Sequence, residues 1–176
     1  PFPGRAGEDD VPLSITMQEE GGTRKTVERI VRIVERMLPQ VNEFSREEIP
    51  ASELIVATKC GGSDGLSGIT ANPAVGVASD KLVACGATSF FAETTETFGA
   101  GHLITNRTRT PEVARQYLQH IEWWKAHLES HGADFQNNPA HGNKAGGLTT
   151  VAEKALGSVA KSGSAAIEAV FDYAEQ

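Results

Sequence analysis

The chain has 176 residues, a net charge of −7 and a hydrophobic fraction of 39%, and this length is enough to bury the core of one domain. The negative charge disfavours general binding to nucleic acid, which depends on neutralising phosphates, and no apolar run is long enough to span a membrane. Because the two cysteines have no paired spacing and no signal peptide is visible, we expect a soluble protein in the reducing cytoplasm.

The first part of the chain is predicted to be irregular, then a strand, then a helix. Residues 1–12 are predicted to form an irregular segment, and residues 13–176 an α/β domain. Apolar and polar side chains alternate over residues 13–18, which predicts a half-buried strand. Apolar residues follow helical spacing over residues 23–38, and Pro39 predicts a stop near the end of that helix.

A glycine-rich loop at residues 59–70 follows the most strand-like stretch, residues 54–58. A helix over residues 73–84, capped by Asn72, and a buried strand over residues 87–92 come next. Strand, helix and strand within about forty residues is the spacing of a parallel βαβ unit. We therefore predict an α/β three-layer sandwich with a mostly parallel, Rossmann-like sheet flanked by helices. Segments 60–64 and 93–96 are expected to face one crevice at the carboxyl edge of that sheet.

The last third of the chain is predicted to be helical around one long polar loop. A short helix is predicted over residues 98–104, and a long helix begins with Thr110 as cap and ends at Gly132. Residues 133–147 are a polar stretch, either a binding loop, which we favour, or a disordered linker. An amphipathic helix begins near Leu148 and ends at Ser162 and Gly163, and residues 164–173 are predicted to form another helix.

Three motifs resemble the altronate dehydratase and galactarate dehydratase family. They are KCGGSDGLSGITANPAVG at residues 59–76, ETTE at residues 93–96 and NNPAHGNKAGGLTT at residues 137–150. The resemblance runs over residues 16–175. It implies that the chain is a central part of the large catalytic region, from which N-terminal and C-terminal parts of the same enzyme are missing, and that the isolated chain can be inactive.

The resemblance implies a metal-dependent hydro-lyase, an enzyme of the lyase class. It would dehydrate an anionic sugar acid of the altronate or galactarate type to a 2-keto-3-deoxy acid by α-proton abstraction and loss of the β-hydroxyl. The implied cofactor is iron(II), with manganese or magnesium as alternatives, and a homo-oligomer that binds neither nucleic acid nor a membrane is expected. Two alternatives stay open: a carbon–sulfur lyase of the sulfolactate sulfo-lyase type, and a noncatalytic α/β binding or assembly module.

The motifs supply candidate residues for this chemistry. Lys144 is expected to be the base or the carboxylate clamp, unless it is simply a solvated lysine. Glu93 and Glu96 are candidates for acid catalysis, unless they only provide negative charge at a helix start. Cys60 and Glu93 are candidate metal ligands, although Cys60 could instead be a small packing residue. The residues predicted to bind substrate are Gly61, Gly62, Ser63, Asp64, Ser67, Thr70, Asn72, Asn143, Gly146 and Gly147.

Overall fold

The structure is a computed structural model that describes residues 14–172. The chain divides into two compact units, Pro1–Glu48 and Ile49–Gln176. Residues 14–172 hold seven α-helices and one parallel two-stranded sheet, which confirms the α/β class. Within this range no helix has both the length and the apolar character that crossing a membrane requires.

The first unit contains two helices, α1 (Met17–Glu20) and α2 (Thr23–Val41). The predicted strand over residues 13–18 is wrong where the structure describes it, because residues 14–16 have no regular structure and α1 follows; residue 13 lies outside the described residues. Gly21, at φ +83°, closes α1 with backbone hydrogen bonds to the carbonyls of Met17 and Gln18. A left-handed glycine of this kind is a common helix end.

Helix α2 is longer than the sequence predicts. It runs through Pro39 and ends at Val41, three residues past the predicted end at residue 38. The proline lies in the last turn, where the missing N–H costs one hydrogen bond and the Asn42 N–H still reaches the Leu38 carbonyl at 2.9 Å. The apolar stripe is as predicted but stays about half exposed, at Val27, Ile30, Val31, Val34, Leu38 and Val41.

The second unit is built on a βαβ unit. Strand β1 (Ile55–Thr58), helix α3 (Ala71–Ala84) and strand β2 (Thr88–Phe91) follow one another, and the strands pair in parallel from Ile55 opposite Thr88 to Thr58 opposite Phe91. This confirms the parallel crossover. The larger three-layer sandwich is not seen in residues 14–172, where β1 and β2 pair only with each other.

The predicted cap of α3 is wrong. The helix begins at Ala71, one residue before Asn72, and its N-cap Thr70 makes no side-chain cap. Asn72 is instead buried in the first turn, and its backbone N–H bonds to the Ser67 carbonyl at 2.9 Å. Its side chain therefore faces the interior of the unit, where Gly157 passes close to the amide nitrogen.

Four further helices complete the second unit: α4 (Gly101–Thr105), α5 (Pro111–Ser130), α6 (His141–Ala145) and α7 (Val151–Ala160). The Thr110 cap of α5 is confirmed, since its hydroxyl accepts from the Val113 N–H. The helix ends at Ser130, and Gly132 follows at φ +68°. The core cluster joins α4, α5 and α7 through Ala100, Ile104, Tyr117, Ile121, Ala155 and Val159.

Two predictions for the end of the chain need correction. The polar stretch 133–147 is not an open loop, because it contains a 3₁₀ turn at Phe135–Asn137 and helix α6. The predicted helix over residues 164–173 is absent from the described residues 164–172. There, Asp80 accepts hydrogen bonds from the backbone of Ser164 and Ala165, and Ile167 bridges to Thr108. These contacts hold the segment extended against the domain.

Candidate functional site

The carboxyl ends of the two strands carry the first two motifs next to each other. The central loop, residues 59–70, leaves β1, and the acidic segment, residues 93–96, follows β2. Lys59 joins them at their base, where its ammonium donates to the Ala92 carbonyl at 3.2 Å. The parallel register therefore brings together the two segments that the sequence assigns to one crevice.

The central loop is shaped by its own short polar side chains. One carboxylate oxygen of Asp64 accepts hydrogen bonds from the Leu66 N–H, the Ser67 N–H and the Ser67 hydroxyl, each at 2.9 Å. These donors, the Ser67 hydroxyl first, lower the pKa of Asp64 below its usual value. Earlier in the loop, the Cys60 sulfur lies 3.0 Å from the Ser63 hydroxyl. Asp64 therefore fixes the turn and is ionised at neutral pH.

The third motif packs directly onto the central loop. The Gly65 N–H donates to the Gly146 carbonyl at 2.9 Å, and the Asn143 amide donates to the Ser63 carbonyl at 2.8 Å. A Cβ atom on Gly65 would lie 2.9 Å from the Gly147 carbonyl oxygen, closer than real side chains approach. Glycine at position 65 therefore allows the two backbones to touch.

Lys154 of α7 and Lys161, the C-cap that follows this helix, hold the acidic segment. The Lys161 ammonium lies 2.6 Å from both carboxylate oxygens of Glu93, and both side chains are almost fully buried. Lys154 forms an ion pair of 3.1 Å with Glu96 and lies 3.9 Å from the Cys60 sulfur. The Asn138 amide also donates to Glu96, at 2.8 Å. Lys154 thus contacts the first two motifs, and the carboxylate of Glu96 links it to the third.

Neither lysine is among the residues predicted from the sequence. Lys154 and Lys161 are seven residues apart, about two turns of helix, and the C-cap Lys161 keeps helical backbone angles, so the two lysines lie on the same side of α7 and its end. They are only 6% and 4% exposed. The signal was present in the sequence, because this helix is otherwise made mostly of small and apolar residues, and a buried lysine needs a partner.

Some of the predicted substrate-binding residues surround one shallow cavity between the central loop and α7. Ser63, Asp64, Ser67 and Asn72 line it together with Gly68, Leu148, Glu153, Lys154 and Gly157. Asn143, Gly146 and Gly147 are not among its lining residues, and Asn143 and Gly146 form hydrogen bonds with the central loop.

Other predicted residues are elsewhere. Gly61 and Gly62 are exposed on the loop, and the Thr70 hydroxyl donates to the Leu66 carbonyl at 2.9 Å. Lys144 is exposed on α6 and is not among the residues that line the cavity. The structure therefore brings Lys154, rather than Lys144, to the centre of the three motifs.

The described residues do not by themselves fit a complete metal centre. No group of three histidine, cysteine, aspartate or glutamate side chains in residues 14–172 is placed to hold an ion. The two candidate ligands, Cys60 and Glu93, contact different lysines, Lys154 and Lys161. An ammonium group therefore lies next to each donor, at 3.9 Å from the Cys60 sulfur and at 2.6 Å from the Glu93 carboxylate.

An α/β domain that gathers polar loops and charged side chains at the carboxyl ends of parallel strands has the arrangement of a ligand-binding enzyme domain. Residues 51–176 match the family model described as D-galactarate/Altronate dehydratase, C-terminal. The chain belongs to this family of sugar-acid dehydratases.

Curated relatives agree with this family. The chain is 51% identical over 155 residues to galactarate dehydratase (L-threo-forming) of Escherichia coli, which covers 88% of the chain and 30% of the relative. It is 42% identical over 143 residues to altronate dehydratase of Bacillus subtilis, and this match covers 79% of the chain and 29% of the relative. It is also 38% identical over 160 residues to the (2R)-sulfolactate sulfo-lyase subunit beta of Chromohalobacter salexigens. This match covers 89% of the chain and 41% of the relative. The chain thus spans between about three and four tenths of these relatives.

Proposed function

We propose that this chain is part of a hydro-lyase that dehydrates a sugar acid of the galactarate or altronate type to a 2-keto-3-deoxy acid. The observation that carries the proposal is the meeting of all three family motifs around Lys154. This residue lies 3.9 Å from Cys60 and 3.1 Å from Glu96, and Glu96 accepts from Asn138. Relatives named galactarate dehydratase and altronate dehydratase support the substrate class.

The reaction requires a base, an acid and stabilisation of negative charge. Removing the proton beside a carboxylate leaves an enolate whose extra charge falls on the carboxylate oxygens, and a cation held nearby lowers the energy of that state. The neighbouring hydroxyl then leaves as water after receiving a proton. The enol that remains becomes the 2-keto-3-deoxy acid by tautomerisation.

We assign the proton transfers to two of the predicted residues. Lys144 is the proposed base, and the burial that would favour its neutral form would have to come from substrate or from other parts of the enzyme, because the side chain is exposed here. Glu96 is the proposed acid, since its side chain is 21% exposed, whereas that of Glu93 is fully buried against Lys161. Because Glu96 is paired with Lys154 here, its carboxylate would first take up the proton that Lys144 removes, or one from solvent, and then pass it to the leaving hydroxyl. Glu93 then positions the segment that carries Glu96.

A divalent metal stays part of the proposal only with ligands from outside these residues. Iron(II), or manganese or magnesium, would act as a Lewis acid on the substrate carboxylate. Cys60 or Glu93 would supply one ligand at most, because each contacts a lysine in this structure. Every step assigned to this chain therefore uses its own side chains.

The proposed partners are other parts of the same enzyme and a second copy of it. Parallel sheets are normally covered on both faces, yet Ile55 of β1 is 77% exposed and Phe90 of β2 is 43% exposed. Further strands and helices of the longer enzyme would complete the three-layer sandwich predicted from the sequence. The exposed apolar stripe of α2 favours a contact with protein, consistent with a homo-oligomer. Both cysteines are free thiols, which agrees with the proposed cytoplasmic location.

A carbon–sulfur lyase is the second candidate. The similarity to the sulfo-lyase subunit covers 89% of the chain, nearly the same share as for galactarate dehydratase. Loss of bisulfite from sulfolactate also begins with removal of the proton beside a carboxylate, so the same base and cation would serve.

An assay of the full-length protein tests the proposal. The protein would be incubated with iron(II) under reducing conditions and with a panel of aldonates, hexarates and sulfolactate. Release of a 2-keto-3-deoxy acid from one sugar acid supports the hydro-lyase. Release of bisulfite would move the assignment to the sulfo-lyase, and no turnover of any acid would contradict both.

A further inference from the structure

We propose that Lys154, which no sequence motif singled out, binds the substrate carboxylate in the shallow cavity between the central loop and α7. The inference rests on the proposed function for the identity of the acid. The site itself rests on the side chains that line the cavity.

Lys154 is placed to reach a ligand in this cavity. Lys154 is one of the residues that line the cavity, although it is only 6% exposed. An ammonium group has three N–H donors, and the contacts within the described residues are the ion pair with Glu96 and the weak bond to the Cys60 sulfur. At least one donor is left for a third acceptor.

The two acidic side chains at the cavity are bonded to groups other than Lys154. Asp64 uses one carboxylate oxygen to accept three hydrogen bonds within its own turn. Glu153 accepts from the backbone and hydroxyls of Thr149 and Thr150 at the start of α7. Local donors therefore hold both carboxylates, and Lys154 is the cation among the lining residues.

Asn72 is a further polar residue at the same place. It lines the cavity and is only 8% exposed. Its amide atoms are not among the fully buried polar atoms that lack a partner in the described residues, so the amide is open to water or to a ligand in the cavity. A hydroxyl next to the carboxylate of a sugar acid would accept from this amide while the carboxylate contacts Lys154.

The neighbouring lysine shows what a purely structural partner looks like. Lys161 is closed off by both carboxylate oxygens of Glu93, and neither residue lines the cavity. The sequence left two roles open for Lys144, base or carboxylate clamp. If Lys154 of α7 binds the carboxylate, Lys144 keeps only the proposed role of base.

The test compares Lys154→Met, Lys154→Arg and Lys144→Met in the full-length protein. One arm measures kcat and KM with galactarate. The other arm measures calorimetric binding of adipate, a six-carbon dicarboxylate with no hydroxyl to lose, so that binding is separated from turnover. Unfolding temperatures of all variants are recorded, because Lys154→Met also leaves Glu96 without its ion pair.

We expect Lys154→Met to weaken adipate binding and to raise KM by at least about thirtyfold, as loss of a close charge contact predicts. Lys154→Arg should recover part of both, because it keeps the charge. Lys144→Met should lower kcat while adipate binding stays within about twofold of wild type.

Several results would overturn the inference. Adipate binding unchanged in Lys154→Met would remove this lysine from the site, and so would failure of Lys154→Arg to recover any binding in a folded protein. A wild-type protein that binds adipate but dehydrates no acid would contradict the proposed function, while the role of Lys154 in binding a carboxylate would still be supported. A wild-type protein that binds no acid would contradict both.

Discussion

Glu93 and Lys161 place opposite charges in nearly complete burial, with side-chain exposures of 0% and 5%. Removing one partner of such a pair leaves an uncompensated charge in a medium of low polarity, whereas replacing both by apolar groups is often neutral. The pair therefore matters mainly through the cost of breaking it, and it fixes the acidic segment that carries Glu96.

Lys161→Met should lower the free energy of unfolding by about 3–5 kcal/mol, because the Glu93 carboxylate is left buried without its cation. The double variant Lys161→Met with Glu93→Leu should recover most of that loss. Arg115→Met is the matched control, since its ion pair with Glu112 is 65% exposed on both sides and should cost less than about 1 kcal/mol. Urea unfolding measures all three, and a Lys161→Met loss no larger than that of the control would contradict the buried pair.

The central loop should respond to acid through Asp64. Hydrogen bonds from Ser67 and Leu66 lower its pKa, so the folded loop is favoured above the usual pKa of an aspartate, and this contribution is lost as the pH falls through the lowered pKa. A ¹³C NMR titration of the Asp64 carboxyl should show a midpoint below that of an exposed aspartate. Ser67→Ala should raise the midpoint, whereas Ser63→Ala, which lacks a contact to Asp64, should not.

The sequence identified one side of the site better than the other. The central loop could be predicted because glycines, short polar residues and a preceding strand are local signals. Lys154 and Lys161 could not be assigned in the same way, because their role depends on how α7 packs against a segment about sixty residues earlier. Lys144 was predicted to be the base or the carboxylate clamp because it is a lone cation in a glycine-rich motif, yet its side chain is exposed in the fold.

Helices α3 and α7 cross at a glycine. A Cβ atom on Gly76 would lie only 2.1 Å from the Ala160 carbonyl oxygen, so no side chain fits without separating the helices. This crossing sets the position of α7 and therefore of Lys154 within it and of Lys161 at its end.

Gly76→Ala should destabilise the protein by about 1–3 kcal/mol through overpacking, although alanine is favoured over glycine inside a helix by about 1 kcal/mol. Gly142→Ala in α6 is the matched control, because a Cβ atom there meets nothing within 4 Å. Thermal unfolding should show opposite signs for the two changes. Two equal, stabilising shifts would mean that the helices do not approach this closely.

Helix ends could be predicted from the sequence where they depend only on neighbouring residues. The Thr110 cap and the glycine at position 132 depend on neighbouring residues alone, and both were predicted. The start of α3 was not, because Asn72 packs inward toward Gly157 instead of capping. The segment after α7 was also mispredicted, since Asp80, far away in sequence, binds its backbone and holds it extended.

The two-stranded parallel sheet leaves apolar side chains exposed that such sheets normally cover. Ile55 on β1 is 77% exposed, which is unusual for a parallel strand, and the chain spans only 30% of the galactarate dehydratase that it resembles. The proposed explanation is that other parts of the enzyme cover this sheet. The βαβ unit could be predicted from the spacing of strand, helix and strand, but strands from other parts of the enzyme would leave no signal in this chain.

Ile55→Lys should therefore act differently in two forms of the protein. In the 176-residue chain the side chain is exposed, so the change should cost less than about 0.5 kcal/mol. In the full-length protein it would place a charge in a covered sheet and should cost several kcal/mol. Leu118→Lys, half exposed on α5, should be nearly neutral in both, and an Ile55→Lys that is neutral in both would leave the sheet uncovered.

The central claim is that three motifs, distant in sequence, form one site for an acid. The most direct measurement is a crystal structure of the full-length protein with a bound hexarate. We predict a carboxylate of the ligand within about 3 Å of the Lys154 ammonium, with its hydroxyls facing Asn72 and the central loop. A hexarate bound only at a place that touches none of residues 59–76, 93–96 and 137–150 would contradict the account.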